Sequence, residues 1–237
     1  KRWQVFELSR SGNSSEQVSH IYCDVTDESS VQQALAEVMK HTDHVDVVIS
    51  NAGFGISGPI EFTDSNAAKK QFEVNFFGAF YLVKAVLPIL RQQGYGRILF
   101  TSSVAAELSI PYQGFYSASK SAINALALAL ANEVREFGIH VAVLMPGDVA
   151  TGFTNAREKE IKGAEVYRKA HSAVAAMEKD ERSGMPPTQM ARCLYKMATN
   201  QSPKPMYVGG TIYKFFCLLN RLLPKRLVNW IVGKLYC

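Results

Sequence analysis

The chain has 237 residues, 47% of them hydrophobic and 20% charged, with a formal net charge of +5. That is the composition of a globular protein with enough apolar material for a sizeable core. The cysteines, Cys23, Cys193, Cys217 and Cys237, form no C-x-x-C pair and have no histidines at metal spacing, which argues against a disulfide framework or zinc site and for a reducing, cytoplasmic setting. No basic-then-apolar leader opens the sequence, and no uninterrupted apolar run approaches the roughly 18 residues of a bilayer span, so neither secretion nor a spanning segment is expected.

Up to Arg182 the chain carries 18 basic and 21 acidic residues, and beyond it 8 basic and none acidic. The basicity therefore belongs to the tail. No helix-turn-helix, zinc finger or similar module accompanies it, and nucleic-acid binding is not expected.

In chain order, β-branched runs at 3–9, 18–25, 45–50, 96–102, 139–146 and, more weakly, 205–209 read as strands. Helical spacing shows in Val31, Leu35, Val38 and Met39, in Phe72, Phe76, Phe80, Val83, Val86, Leu87 and Leu90, and in Ile123, Leu126, Leu130, Val134 and Phe137. This alternation predicts an α/β fold, a doubly wound parallel sheet with helices on both faces. Residues 150–187 break the rhythm, with much charge and alanine and no strand. They follow the carboxyl end of a strand, where such sheets bind ligands, so they are either a substrate lid or an ordinary exposed helical excursion. The prolines of "GMPPTQM" should start another helix.

Five short motifs fall at strand ends or on the facing helices: "SNAG" (50–53), "VNFFG" (74–78), "TSSVA" (101–105), "YSASK" (116–120) and "PGDVAT" (146–151). Each alone is weak, since Asn-Ala-Gly and Pro-Gly usually mark turns. Tyr116 and Lys120 lie one helical turn apart, which also fits a surface contact worth a few tenths of a kcal/mol. A catalytic pairing makes equal physical sense. Reducing a ketone needs a proton donor at oxygen, a free phenol with a pKa near ~10 gives up its proton reluctantly, and a nearby ammonium favours the phenolate. A serine hydroxyl can orient the substrate oxygen, and an asparagine can bend its helix to hold a water.

Taken in order, the motifs resemble the classical short-chain dehydrogenase/reductase family over about residues 3–210. The resemblance implies a three-layer Rossmann-like domain at 1–210, including the 150–187 lid, followed by a tail at 211–237. It implies Asn75, Ser103, Tyr116 and Lys120 as catalytic residues, with Ser103 rather than Ser102 selected by its distance from the tyrosine. It also implies that Asp24 and Val25 flank an adenine, that Asn51, Ala52 and Gly53 pass beneath its ribose, and that Pro146, Gly147, Val149 and Thr151 embrace a nicotinamide. Tyr116 and Lys120 would reach the nicotinamide's ribose. Asp24 also fits as a turn or cap residue. At the end of the first strand, Ser9 and Arg10 occupy the place where an acidic residue would grip a ribose 2′-hydroxyl. A guanidinium suits a 2′-phosphate, which favours NADP(H) over NAD(H) despite Glu7 nearby. A softer likeness points to the hydroxysteroid and retinol dehydrogenase-like branch.

The family's glycine-rich turn, which aims N–H groups at the pyrophosphate, does not occur in the sequence. Either the sequence is a fragment or the fold has degenerated. In the strand order 3-2-1-4-5-6 the missing strand is central, so its loss would split the sheet and expose two edges, which favours the fragment.

The tail mixes Lys214, Arg221, Lys225, Arg226 and Lys234 with aromatic and aliphatic residues, and Pro224 interrupts it. It reads either as an interfacial amphipathic anchor, with Tyr213, Trp230 and Tyr236 at headgroup level, or as a terminal helix pair packed on the lid or a partner subunit. The expected function is NADP(H)-dependent interconversion of a carbonyl and an alcohol on a lipophilic substrate, by a cytoplasmic, peripherally membrane-associated protein and with a homo-oligomer by family analogy. The alternative is a non-catalytic nucleotide-sensing or membrane-surface protein on the same fold.

Overall fold

The structure, a computed structural model, describes residues 3–159 and 161–236; Cys237 and Glu160 lie outside them. The chain runs β1 (Val5–Ser9), β2 (Val18–Tyr22), α1 (Glu28–Val38), β3 (Val47–Ser50), β4 (Ile56–Ser57), α2 (Ser65–Phe72), a π-helical turn (Glu73–Phe77) and α3 (Gly78–Gln93). It continues through β5 (Gly96–Thr101), α4 (Gly114–Glu133), β6 (Ile139–Pro146), α5 (Phe153–Ala156), β7 (Glu158–Lys159), α6 (Ala170–Arg182), α7 (Pro187–Thr199), β8 (Met206–Gly209), α8 (Thr211–Leu222) and α9 (Lys225–Tyr236).

The main sheet has the order β3-β5-β6-β8, parallel throughout, and period-two alternation sorts its side chains onto two faces. Ile98, Phe100, Val141, Val143 and Met145 point to one face, where they meet Val83, Val86 and Leu90 of α3 and Ile123, Ala127 and Leu130 of α4. Leu99, Ala142 and Leu144 point to the other and meet Met190, Met197 and Ala198 of α7. Both faces are covered, which is why these strands read as continuous apolar runs.

β1 and β2 form a separate parallel pair, tied to the rest by α1, whose Val31 and Ala34 pack with Cys23, Leu8 and Ile21 on one side and Tyr81, Leu82 and Ala85 of α3 on the other. Val5 on β1 and Ile49 on β3 are exposed at 44% and 42%, on strands with no ladder partner across the division among the described residues. The sheet divides where the strand order implied that it would.

Two details differ from the sequence expectations. Strand β2 stops at Tyr22 instead of reaching Val25, because the Asp24 carboxylate accepts from both the amide and the hydroxyl of Thr26 and closes a turn. The 150–187 segment also contains a strand after all: β7 pairs in parallel with β4, helped by Glu158 N–H donating to the Gly55 carbonyl. Two residues are too few for periodicity to reveal.

The continuous helix 65–93 is, among the described residues, long and apolar enough to cross a bilayer. Its apolar stripe faces the core instead, with Val83, Val86 and Leu90 nearly inaccessible. Its last turn ends at Gly94 in the left-handed conformation (φ 75°), and Gly138 (φ 69°) turns the chain into β6 so close that a Cβ there would lie 2.4 Å from the Gly94 carbonyl oxygen.

Candidate active site

A cavity of about 530 Å³ opens at the carboxyl ends of β3, β5 and β6, a size ordinary for small-molecule sites. Ser103, Tyr116 and Lys120 line it together with Asn51, Gly53, Pro146, Gly147, Val149 and Thr151. The strand ends deliver these groups because three parallel strands stop at the same level. α4, running back along the sheet, presents Tyr116 and Lys120 from the side.

Ser103 accepts a hydrogen bond from the Ala105 amide at 3.1 Å, which fixes its oxygen while leaving its proton to donate. Lys120 is buried, and its Nζ donates to the Thr101 carbonyl at 2.8 Å; Ser102 Oγ donates in turn to the Lys120 carbonyl. The Lys120 ammonium lies 5.9 Å from the Tyr116 ring centroid. Burial pushes the Tyr116 phenol up to about 12; contact with the Ser103 hydroxyl opposes this, Glu181 and Asp148 add to it, and Arg157 offsets part. Burial likewise brings the Lys120 ammonium down to about 8. Desolvation is thus the largest influence on both groups, and it leaves the phenol neutral and the ammonium charged at neutral pH.

Asn75 sits in the π-helical turn 73–77, a local widening of the helix often found at functional sites. Its side chain is used in full: Oδ1 accepts from Phe54 N–H, and Nδ2 donates to the Phe54 carbonyl and to Ser119 Oγ. Lys120 is bonded to Thr101 rather than to Asn75. The two nonetheless flank Gly53, where a Cβ would stand 3.2 Å from Asn75 Oδ1 and 3.3 Å from Lys120 Nζ, closer than most side chains accept.

The remaining expected residues are grouped elsewhere. Ser9, Arg10, Asp24 and Val25 lie at the carboxyl ends of β1 and β2, outside the cavity's lining, and Ala52 stands between the lining residues Asn51 and Gly53. The Ser9 hydroxyl donates to the Ser11 carbonyl at 2.8 Å, with Glu7 Oε1 3.1 Å from the same hydroxyl oxygen. The Asp24 carboxyl is held below its ordinary value first by the Thr26 amide and hydroxyl and then by the charge of Arg10.

Several residues at the site were not singled out in the sequence. Gln71, fully buried one turn before Asn75, accepts from Ile56 N–H and donates to the Phe54 carbonyl, so the two amides together grip the 54–56 loop. A polar residue on an apolar helical stripe was the available signal. Phe153 lies against Tyr116 in a tilted contact at 5.4 Å between ring centroids, and the Arg157 guanidinium lies over the Phe153 ring. Arg157 pairs with Glu181, which also accepts from Thr154 Oγ1 at 2.8 Å, joining α5 to α6. Nothing in their spacing, 24 residues apart in a charge-rich stretch, marked this pair as buried.

A family model described as short chain dehydrogenase matches residues 6–162. The chain belongs to the short-chain dehydrogenase family. It is 35% identical over 223 residues to a 3-ketodihydrosphingosine reductase of Bacteroides thetaiotaomicron, covering 92% of this chain and 83% of that one. Against a probable short-chain type dehydrogenase/reductase of Helicobacter pylori it is 33% identical over 232 residues, covering 94% and 84%. A solved short-chain dehydrogenase from Streptomyces avermitilis superposes with a TM-score of 0.77 at 26% identity, over 92% of this chain and 78% of that one. A Burkholderia phymatum family member in complex with NAD gives 0.75 at 25% identity, over 86% and 74%. This short-chain dehydrogenase is therefore an NAD(P)-dependent oxidoreductase that interconverts carbonyl and alcohol groups.

The residues present fit such a dinucleotide. Thr101 Oγ1 is a buried polar atom with no hydrogen-bond partner among the described residues, on a residue of the cavity wall, and Lys120, Thr151 and the exposed "NAG" backbone offer further polar groups. Removing the Glu181 carboxylate in Glu181→Ala leaves the buried Arg157 cation uncompensated, with an expected loss of roughly 3–5 kcal/mol in urea unfolding.

Proposed function

We propose that this short-chain dehydrogenase is an NADP(H)-dependent reductase of a lipophilic ketone or aldehyde acting at a membrane surface. The observation that carries the reading is the meeting of Ser103, Tyr116 and Lys120 in one cavity whose other walls include Val104, Ile110, Phe153, Met177 and Met190. The bound dinucleotide would supply hydride to the carbonyl carbon. The chain's own groups handle the oxygen. Ser103 donates to it and holds it beside Tyr116, and Tyr116, protonated throughout the neutral range, gives up the phenolic proton. Lys120 steadies the negative charge left on the phenol's oxygen and holds a ribose hydroxyl. Asn75 positions the 54–56 loop next to Lys120. Phe153 and Met177, from the 150–187 lid, exclude water and accommodate an apolar substrate.

Support for the lipophilic class comes from these walls and from the relative named as a 3-ketodihydrosphingosine reductase. At the adenosine end, Arg10 is exposed at the end of β1 and free to reach a 2′-phosphate. Support for the membrane surface comes from the tail, where α8 exposes Ile212, Phe215, Leu218 and Leu222, α9 exposes Leu227, Trp230 and Leu235, and the basic Lys214, Arg221, Lys225, Arg226 and Lys234 stand exposed among them without an acidic neighbour in the tail. That pairing of apolar ridge and cations matches an anionic lipid interface.

With the full-length protein, Tyr116→Phe is expected to lower the rate of NADPH-dependent reduction of hydrophobic ketones by roughly 10²–10⁴-fold while NADPH still binds. An undiminished rate removes Tyr116 as the proton donor. Because burial holds Lys120 near 8 and Tyr116 near 12, kcat/KM for reduction should be level at neutral pH and fall as pH rises through about 8, as Lys120 loses its charge. A profile that instead rises there contradicts the assignment. In calorimetric titrations Arg10→Ala should weaken NADP binding roughly ten- to hundredfold and leave NAD binding nearly unchanged. Co-sedimentation with phosphatidylserine-containing vesicles should drop when Leu222, Trp230 and Leu235 are changed to serine. Equal sedimentation before and after excludes the tail as the anchor.

A further inference from the structure

Tyr236, 120 positions after Tyr116, lines the same cavity as Ser103, Tyr116 and Lys120. Its placement follows from how the tail is fastened. α8 packs on β8, and its Cys217 enters the main core. The Tyr213 hydroxyl donates to Asp148 Oδ2 at 2.5 Å, and the Tyr213 ring covers Gly147 so tightly that a Cβ there would lie 2.2 Å from it. Asn220, buried, donates to the Glu107 carbonyl, and Lys225 at the start of α9 donates to Asn220 Oδ1. Held at that end, α9 runs back across α6 with Val232 buried, and its last turn brings Tyr236 to the cavity beside Met177 and Glu181 of α6. Burial first, then the charges of Asp148, Asp180 and Glu181, push the Tyr236 phenol up to about 12, so it stays neutral. The neighbouring Leu235 is 64% exposed and Trp230 60%. The cavity wall and the apolar ridge of the tail are thus two sides of one helix.

We propose that Tyr236 is a specificity-determining residue, its ring forming the wall against which a substrate's hydrocarbon chain lies. The inference rests on the reductase reading and adds to it a residue. A neutral aromatic ring offers a long alkyl chain apolar area at little conformational cost. Met177 lines the same cavity, a side chain able to adjust to chains of different shape. Tyr236 itself carries out no bond-making step.

The test compares a twelve-carbon methyl ketone with butanone, using the full-length protein, NADPH, and the variants Tyr236→Ala and Tyr236→Phe. Tyr236→Ala should raise KM for the long ketone about tenfold, leave KM for butanone and both kcat values within about twofold, and Tyr236→Phe should resemble the unaltered protein. Equal changes on the two ketones, or none, overturn the inference while leaving the reductase reading in place. A binding measurement separates the two failures. In calorimetric titrations of the NADP-bound protein, the long ketone should bind, and Tyr236→Ala should weaken that binding about tenfold while leaving butanone binding unchanged. Tyr236-dependent binding of the long ketone without turnover of any carbonyl compound would overturn the reductase reading and retain the binding site. Binding of the long ketone that Tyr236→Ala leaves unchanged overturns the inference.

Discussion

Lys120 Nζ donates to the carbonyl oxygen of Thr101 at 2.8 Å, and this bond ties the inner face of α4 to the last residue of β5. A buried ammonium is costly unless it is hydrogen-bonded, and its burial also draws its pKa down. Much of the surrounding structure answers that cost. Ser102 bonds the lysine's own carbonyl, Ser119 joins the neighbouring turn of α4 to Asn75, and Gly53 lacks the side chain that would press on both Asn75 and Lys120. Tyr116, one turn earlier on α4, takes its position from the same anchoring.

The second constraint is the grip on the 54–56 loop by Gln71 and Asn75. Backbone groups in a buried loop must find partners, and here two side-chain amides on one helix supply them. These residues, four positions apart, lie on one face of the helix and reach the same loop. The helix 65–93 thereby serves both as an apolar element of the core and as a scaffold for the site.

The tail shows how a terminal segment becomes part of a site without contributing to its proton chemistry. Tyr213 covers the Pro-Gly-Asp turn and fixes Asp148, and Asn220 and Lys225 fix the angle between α8 and α9. From the sequence, a membrane anchor and a helix pair packed on the lid were competing expectations. In the structure α9 packs against α6 on one side and leaves Leu227, Trp230 and Leu235 exposed on the other, so the packing excludes neither.

The order of apolar runs and the helical periods determined the parallel α/β fold, because fully covered strands and amphipathic helices leave distinct patterns at short range. The motifs picked out Ser103 at the end of β5 and Tyr116 and Lys120 on α4, because each motif is contiguous in the chain and all three residues line one cavity. Even the division of the sheet followed from strand order. Tertiary structure alone decided the rest. The burial of Arg157 against Glu181, the reach of Gln71 to Phe54, the tilted contact of Phe153 with Tyr116 and the return of Tyr236 to the cavity all join residues whose types are common and whose spacing has no period. The pKa values of Tyr116 and Lys120 belong here too, since a helical spacing fixes their separation but only the surrounding walls fix how much water each loses.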